Sequence, residues 1–414
     1  MKTYVFIIRR ICNISGAQQY VYNKANYLEN KGWRVLVFSS INGTILIHKF
    51  EDYKKFIIPT LYFSPSVFRK KEVYSTINRI LAEIGDCQGE DCIIESDSLP
   101  RAIWGELVAS RLNCRHLAFF MQEWHHYDND MKDFLRFKYD RHELAGIKKE
   151  SISQMFGDDR VEARDDTRIA AYCNNVIDNC EDKYSQLLDD KADYTFGSIG
   201  RLNKPCVPAI VDGFCSYANL HHDKRFNIVM IGGSIVRGKM EYVRQRLTEC
   251  DNINLILTGD MYPVPHSFAK RIDVFVSTAG SATATYLAGF PTIKVNPNTG
   301  DPIRIMGLGD VEGGSMYESS CDMTFEECID KTINDRDLIE YRGDLGEDYN
   351  KKMYEEFERQ LSFVSRCDKN EYYHEQLLQR IKTPNHPNSS LHKFLGQVIG
   401  GTGLEIIRKL FGKI

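Results

Sequence analysis

Three turns in this chain place small residues where a short apolar run gives way to a helical pattern, and each has the makings of an anion site. Ser15-Gly16-Ala17 follows the apolar run from Tyr4 to Ile8. Gly16 presents no side chain, so backbone N–H groups at the head of a helix approach a phosphate directly; any tight strand-to-helix turn uses glycine in the same way without a ligand. Gly232-Gly233-Ser234 follows the run Phe226 to Ile231, and Arg237 and Lys239 come next. Charge-assisted bonds from two such cations suit a diphosphate, and the plain alternative is a solvated loop. The most specific turn lies between Asp273 and Pro291. An apolar run ending at Ser277 leads into Thr278, Ala279, Gly280, Ser281, Ala282, Thr283, Ala284 and Thr285, followed by Gly289-Phe290-Pro291. Small side chains there let helix N–H groups reach a phosphate, although tight packing of helix on sheet asks for the same residues.

A fourth cluster is Gln122-Glu123-Trp124-His125-His126-Tyr127-Asp128-Asn129-Asp130, which follows the apolar stretch from His116 to Met121. Residues just past such a strand face the crevice where open α/β sheets bind ligands. Histidine titrates near working pH, so His125 or His126 could act as a base or hydrogen-bond a polar substrate, and Glu123 is an alternative. Asp128-x-Asp130 has the spacing of a metal-binding acid pair, and a polar surface loop explains the same residues with no chemistry. Glu95-Ser96-Asp97, after Cys92-Ile93-Ile94, is a further crevice-edge candidate.

These clusters need a scaffold that brings strand ends together. Ala17, Val21, Ala25 and Leu28 mark one helical face, Asn30-Lys31-Gly32 stops it, and Trp33 to Phe38 reads as a second strand. Strand, helix and parallel strand make a βαβ unit. Strands at 92–94 and 116–121, with a helix at 100–112 between them, continue the pattern, and a strand at 176–178 follows a charged helical stretch. Asn203 to Pro208 carries two prolines and reads as a connector, after which the pattern restarts at Phe226. Two parallel α/β domains are therefore expected, over 1–205 and 226–330, joined by a connector at 206–225. Helices are expected over 331–382, with Thr324-x-x-Glu327 as a capping box, then a linker and tail over 383–414.

The 414 residues suffice for two domains, and a net charge of −4 gives no general field for nucleic acid. No stretch of about 18 apolar residues is present to span a membrane, and the short apolar N-terminal run followed by arginines does not read as a signal peptide. The twelve cysteines form no CxxC pair, so reduced thiols of a cytoplasmic protein are expected, not zinc ligands or disulfides.

The paired halves resemble the GT-B glycosyltransferases, in particular the family-4 ("group 1") branch. SGAQQYVYNKANYLENKG with WRVLVFSS is similar to that family's opening glycine turn, helix and second strand. GGSIVRGK resembles its G-R-x-x-x-x-K-G turn, and DVFVSTAGS with GFP its D-x-x-V-x-P-S…G-x-P passage. The likeness spans most of 1–320 and is poor over about 40–225.

The resemblance implies two Rossmann-like domains facing a cleft, a nucleotide-sugar donor and a glycan or lipid-linked glycan acceptor, with no metal or cofactor. It makes the chain a hexosyltransferase. Carried over, Gly16 matches the glycine facing donor phosphates and acceptor, and Lys239 the diphosphate lysine. Gly280 and Ser281, with Thr283 behind them, match the phosphate-contacting helix start. Gly233 stands where the family has an arginine, and Arg237 lies displaced from it. His125 matches the histidine near donor sugar and acceptor, with His126 and Glu123 as alternatives. The family's ribose-binding glutamate is missing: its place falls on Ala284 or Tyr286, and no acid occurs between Asp273 and Asp301. Asp301 or Asn298 is left as a substitute. That loss keeps two other functions in play, a catalytically silent GT-B partner and, less favoured, a nucleotide-sugar epimerase.

The tail carries a separate signal. Leu391, Phe394, Leu395, Val398 and Ile399 share a helical face, as do Leu404, Ile407, Leu410, Phe411 and Ile414 beyond Gly400-Gly401. Lys393, Arg408, Lys409 and Lys413 outnumber the single acid, Glu405. An amphipathic, basic helix of this kind lies in an anionic membrane surface, and packing on its own protein or a dimer partner is the alternative. The expected location is the inner face of the cell membrane, peripherally bound from the cytoplasm.

Overall fold

Apolar runs and helical periodicity alternate from the third residue, and the backbone follows them. β1 (Thr3–Arg10), α1 (Gly16–Asn30) and β2 (Arg34–Ile41) form a parallel strand–helix–strand unit, with Thr3 opposite Arg34. The structure is a computed structural model that describes residues 1–120, 128–147, 152, 155–157, 177–234, 236, 238–308, 321–338, 345–366, 371–381 and 389–411. The chain falls into two units, one made of Met1–Tyr172 with Lys352–Ile414, the other of Cys173–Lys351.

In the first unit α2 (Lys70–Ile84), β3 (Cys92–Ser96), α3 (Leu99–Leu112), β4 (Arg115–Phe119), α4 (Asn129–Asp140) and β5 (Leu144–Ala145) continue the alternation. The sheet is wholly parallel, in the order β2-β1-β3-β4-β5. Tyr4, Val5, Phe6 and Ile7 are all buried, as a central parallel strand covered on both faces requires. Val21, Ala25 and Leu28 of α1 are buried against this sheet's side of the helix, and Gly32, in the left-handed region, turns the chain into β2.

A buried charge lies at the centre of this unit. Lys24 of α1 makes a 2.5 Å ion pair with Glu95 of β3, and its ammonium also donates to Tyr4 at 2.7 Å. Burial alone lowers the pKa of Lys24, and the Glu95 carboxylate opposes that shift. A further partner comes from far along the chain: Gln360 Oε1 accepts from Lys24 at 2.5 Å and from the Tyr20 hydroxyl at 2.8 Å.

The second unit contains β6 (Ile177–Asp178), β7 (Tyr194–Ile199), α5 (Val207–Leu220), β8 (Phe226–Ile231), α6 (Lys239–Leu247), β9 (Ile253–Gly259), β10 (Val264–Pro265), α7 (His266–Ala269), β11 (Val274–Ser277), α8 (Ala279–Leu287), β12 (Thr292–Val295), β13 (Pro302–Ile305) and α9 (Phe325–Asn334). Its main sheet runs β13-β12-β11-β7-β8-β9, parallel except for β13, and β6 pairs with β10 separately. This is the doubly wound dinucleotide-binding order, with β7 as its first strand. Thr324 caps α9 and Glu327 returns the bond, a complete capping box.

The domain boundaries expected from sequence move. β7 belongs to the second sheet, so the division falls near 173 and not at 205. The expected connector at 206–225 is largely helix α5, with Ile210, Val211, Phe214, Cys215 and Tyr217 in the core. Pro208 sits in the first turn of that helix, where a missing N–H costs nothing, so proline there starts a helix and does not mark a linker. Between β6 and β7 the chain makes a 3-10 turn, Ser185–Leu187.

The C-terminal helices return to the first unit. α10 (Leu345–Ser365) packs Phe357 against Tyr20 and Tyr27. A short helix, α11 (Glu375–Leu378), precedes α12 (Ser389–Phe411), which is broken at Gly400. The tail is therefore not held apart by its linker: α12 docks on the segment 59–72. A Cβ on Gly401 would lie 2.4 Å from the Thr60 methyl, and the Gly401 N–H donates to Glu72 at 2.7 Å. Leu404 is fully buried in this contact.

Removing Lys24 leaves a carboxylate buried without its cation. Lys24→Met should cost about 3–5 kcal/mol, read as a lowered chemical-denaturation midpoint, and Lys24→Met with Glu95→Leu should recover much of the loss. An unchanged midpoint in the single variant would show that the pair contributes nothing.

Candidate functional site

Because crossovers place successive parallel strands side by side, the carboxyl ends of β7, β8, β11 and β12 lie along one edge of the second sheet. β7 leads outward to β8 and β9 on one side, and β11 and β12 fill the other, so the crevice opens between β7 and β11. Two residues meet there. Lys204, in the loop after β7, donates from Nζ to Thr278 Oγ1 at 2.9 Å, and Thr278 is the N-cap of α8. The Thr278 side chain makes no capping bond to the helix. The first N–H groups of α8, from Ala279 and Gly280, have no partner within the helix by its geometry. Ala279 is held in the left-handed region at φ 47°, a costly conformation for alanine. An ammonium thus stands beside an uncapped helix N-terminus, both positive in the electrostatic sense.

The loops around this point are locked by close backbone approach. Gly232 has φ 145°, and a Cβ there would lie 2.1 Å from the carbonyl oxygen of Gly200. The N–H of Gly233 donates to Asp260 Oδ1 at 2.8 Å, and its carbonyl accepts from the Leu202 N–H at 2.9 Å. Gly233 therefore holds the loops after β7, β8 and β9 together, and its N–H is already committed to Asp260.

The expected donor residues fall into three groups. Gly280 and Ser281 lie in the first turn of α8, half-buried beside Lys204 and Thr278. Lys239 opens α6 and is exposed. Thr283 spends its hydroxyl on the Ala279 carbonyl, 3.3 Å away, so it serves the helix. Asp301, past β12, lines a cavity of about 280 Å³ with Ala209, Gly300, Cys321, Thr324 and Phe325. Ala284 and Tyr286, where the family glutamate was sought, are both buried in α8. Arg237 lies outside the described residues.

In the first unit Gly16 opens α1 after the N-cap Ser15, whose hydroxyl bonds Gln18 at 2.5 Å and not a helix N–H. Glu123, His125 and His126 lie outside the described residues. Asp128 caps α4 by accepting from the Met131 N–H at 3.1 Å, which gives Asp128 a local role at the helix start. Glu95 turns into the core toward Lys24, whereas Asp97 sits at the sheet edge.

Lys204 and Asp260 were missed by sequence reading. Lys204 lies in Asn203-Lys204-Pro205, where proline suggested a connector, and Asp260 follows Thr258-Gly259, which reads as an ordinary turn. Placing β7 in the second sheet was the missing signal.

No family profile and no curated protein matches this chain. Solved structures do. The pneumococcal O-GlcNAc transferase GtfA, in complex with UDP and GlcNAc, is 10% identical with a TM-score of 0.53 over 88% of this chain and 99% of that one. A TarM variant from S. aureus, in complex with fondaparinux, alpha-GlcNAc-glycerol and UDP, is also 10% identical, with a TM-score of 0.51 over 88% and 99%. A glycosyltransferase from Rickettsia africae is 14% identical, with a TM-score of 0.51 over 95% and 98%. The chain shares the GT-B fold of these glycosyltransferases.

Gly232 tests the packing at this edge. Gly232→Ala should push the loops after β7 and β8 apart and cost about 2–3 kcal/mol, measured by denaturant unfolding. A variant as stable as the parent would mean that the loops part without cost.

Proposed function

We propose that this chain is a GT-B glycosyltransferase of the family-4 kind, moving a hexose-type sugar from a nucleoside diphosphate to an acceptor hydroxyl. The observation that carries the reading is Lys204 bonded to Thr278 at the uncapped start of α8, at the switch point of a doubly wound sheet. The GtfA and TarM structures are complexes with UDP, which favours a uridine nucleotide.

In the reaction the bond between the anomeric carbon and the diphosphate oxygen breaks, and its electron pair leaves with the diphosphate. The acceptor oxygen bonds the anomeric carbon and gives up its proton, for which His125, with His126 or Glu123 as alternatives, is the proposed base. Negative charge on the leaving group grows as that bond breaks. Lys204, Lys239 and the N–H groups of Ala279 and Gly280 stabilise it more in the transition state than before it. Arg237 is placed by its sequence position in the same loop as Lys239. Ribose recognition by Asp301 belongs to the same proposal and is supported by the cavity beside it.

The acceptor is proposed to be a lipid-linked surface glycan met at the inner face of the membrane. Phe394 and Leu410 of α12 are 62% and 73% exposed, with Leu391, Val398 and Ile406 also outward. The docked helix thus keeps an apolar side free, and the tail's cations favour an anionic lipid surface. No helix among the described residues is long and apolar enough to cross a membrane.

One further reading has an observation behind it. The absence of any carboxylate in α8 favours a partner subunit that binds nucleotide without transferring sugar.

Two measurements test the proposal. Lys204→Ala and Lys239→Ala should each weaken UDP binding by at least about 1 kcal/mol in calorimetry, the scale of a charge-assisted bond. Wild type that binds UDP but transfers no sugar across a broad donor and acceptor panel would instead support the silent subunit. Phe394→Asp should leave the fold intact and abolish co-sedimentation with anionic vesicles at low salt. Equal sedimentation of variant and parent would remove α12 from the membrane.

A further inference from the structure

The first sheet has its own switch point, between β1 and β3, since β2 lies on one side of β1 and β3, β4 and β5 on the other. Charged groups from three segments converge there. The Arg9 N–H, at the end of β1, donates to Asp97 Oδ2 at 2.7 Å, which ties the two strand ends together. Arg101, in the first turn of α3, donates from Nε to Asp97 Oδ1 at 3.1 Å, and the Ser98 hydroxyl donates to the same oxygen at 2.9 Å. Tyr62 completes the cluster. Its carbonyl accepts from Arg101 at 3.2 Å, its hydroxyl accepts from Arg9 Nη2 at 3.1 Å, and its ring lies 5.4 Å under the Arg9 guanidinium.

The charges do not balance. Asp97 is a single carboxylate whose two oxygens already receive three donors, and it neutralises the buried Arg101. Among the described residues no second carboxylate pairs with Arg9. Two guanidiniums are thus held close enough for Arg9 to depress the pKa of Arg101, behind the larger effect of burial. A fold that needed only the Arg101–Asp97 pair would have no use for a second cation fixed beside it. Arg9 is half-buried and kept in place by a ring face and a hydroxyl, which lowers the entropy lost when it takes a ligand. Its remaining N–H groups form the planar fork that suits an oxyanion.

We propose that Arg9, backed by Arg101 and Tyr62, is a subsite in the first unit for a phosphate group on the acceptor. This rests on the glycosyltransferase reading and deepens it: the acceptor is anionic, and a phosphate ester near the accepting hydroxyl fixes it on the sheet edge. Arg9 binds the substrate; Arg101 acts through Asp97 and Tyr62 as a positioning residue.

The test uses the full chain and reads Arg9 itself. Phenylglyoxal modifies accessible arginines, and the rate at Arg9 is followed by peptide mass spectrometry with inorganic phosphate, acetate, UDP or a neutral hexose present. Millimolar phosphate should slow modification of Arg9 by at least about fivefold, and UDP and the hexose should not, since one charge-assisted bond is worth roughly tenfold in affinity. Acetate separates a phosphate site from a general carboxylate site, and protection by acetate equal to that by phosphate would overturn the phosphate assignment. An unprotected Arg9, or one protected by UDP alone, would overturn the subsite. Once an acceptor is found, Arg9→Gln should raise KM for phosphorylated acceptors about tenfold with little change in kcat, and be partly rescued by Arg9→Lys. An unchanged KM would equally sink the proposal. The labelling result does not depend on transfer, so a chain that binds phosphate at Arg9 and moves no sugar refutes the enzymatic reading and not the subsite.

Discussion

A parallel strand cannot be reached from its neighbour by a hairpin; the chain must cross back over the sheet, and nearly always does so with a right-handed turn. Everything functional here follows from that constraint. Each crossover starts at the carboxyl end of one strand, so the loops that leave β7, β8, β11 and β12 share one edge of their sheet, as those leaving β1, β3 and β4 do in theirs. Helices begin at the same edge, which brings their unpaired N–H groups with them. The winding direction reverses once in each sheet, and the loops on either side of the reversal separate. Lys204 and Thr278 occupy that gap in one unit, and Arg9 and Asp97 in the other.

The two gaps are chemically unlike. That of the second unit combines an ammonium with small residues and a strained Ala279, leaving backbone N–H groups open to an incoming group. That of the first is built from long side chains, with a buried ion pair and an aromatic ring fixing an outer guanidinium. A site of backbone donors suits a ligand that lies flat along the helix start. A site of forked side chains suits one that reaches in from the edge.

Much of this was readable in the residues. The run from Phe226 to Gly233 and the passage from Asp273 to Pro291 gave strand, turn and helix correctly, because burial on both faces makes parallel strands continuous in hydrophobicity. Val207–Leu220 was hidden by Pro205 before it and Pro208 within it, since proline signals a break in a chain read locally and Pro208 falls in the opening turn of the helix. The partners of Lys24 were out of reach for a different reason. A lysine on an otherwise apolar helical face invites placement in solvent, and it takes Glu95 and Gln360, brought from distant segments, with the Tyr4 and Tyr20 hydroxyls to make its burial tolerable. Gly233 has a role that its type did not announce: its position suggested a ligand, and its N–H is bonded to Asp260.

The return of Lys352–Ile414 to the first unit makes the second unit an insertion within it. The ribosome therefore finishes Cys173–Lys351 while the first unit still lacks Gln360 and Phe357. Until those residues emerge, Lys24 and Tyr20 await partners that the chain has not yet made. The usual vectorial order, in which the leading domain completes first, is inverted, and the inserted unit is the one able to close early. Joining the two segments of the first unit then means closing a loop as long as the whole insertion, an entropic cost of roughly 4–5 kcal/mol that grows only logarithmically with its length. The insertion is thus free to lengthen or shorten over evolution at little thermodynamic expense, so long as its two ends stay where the first unit needs them.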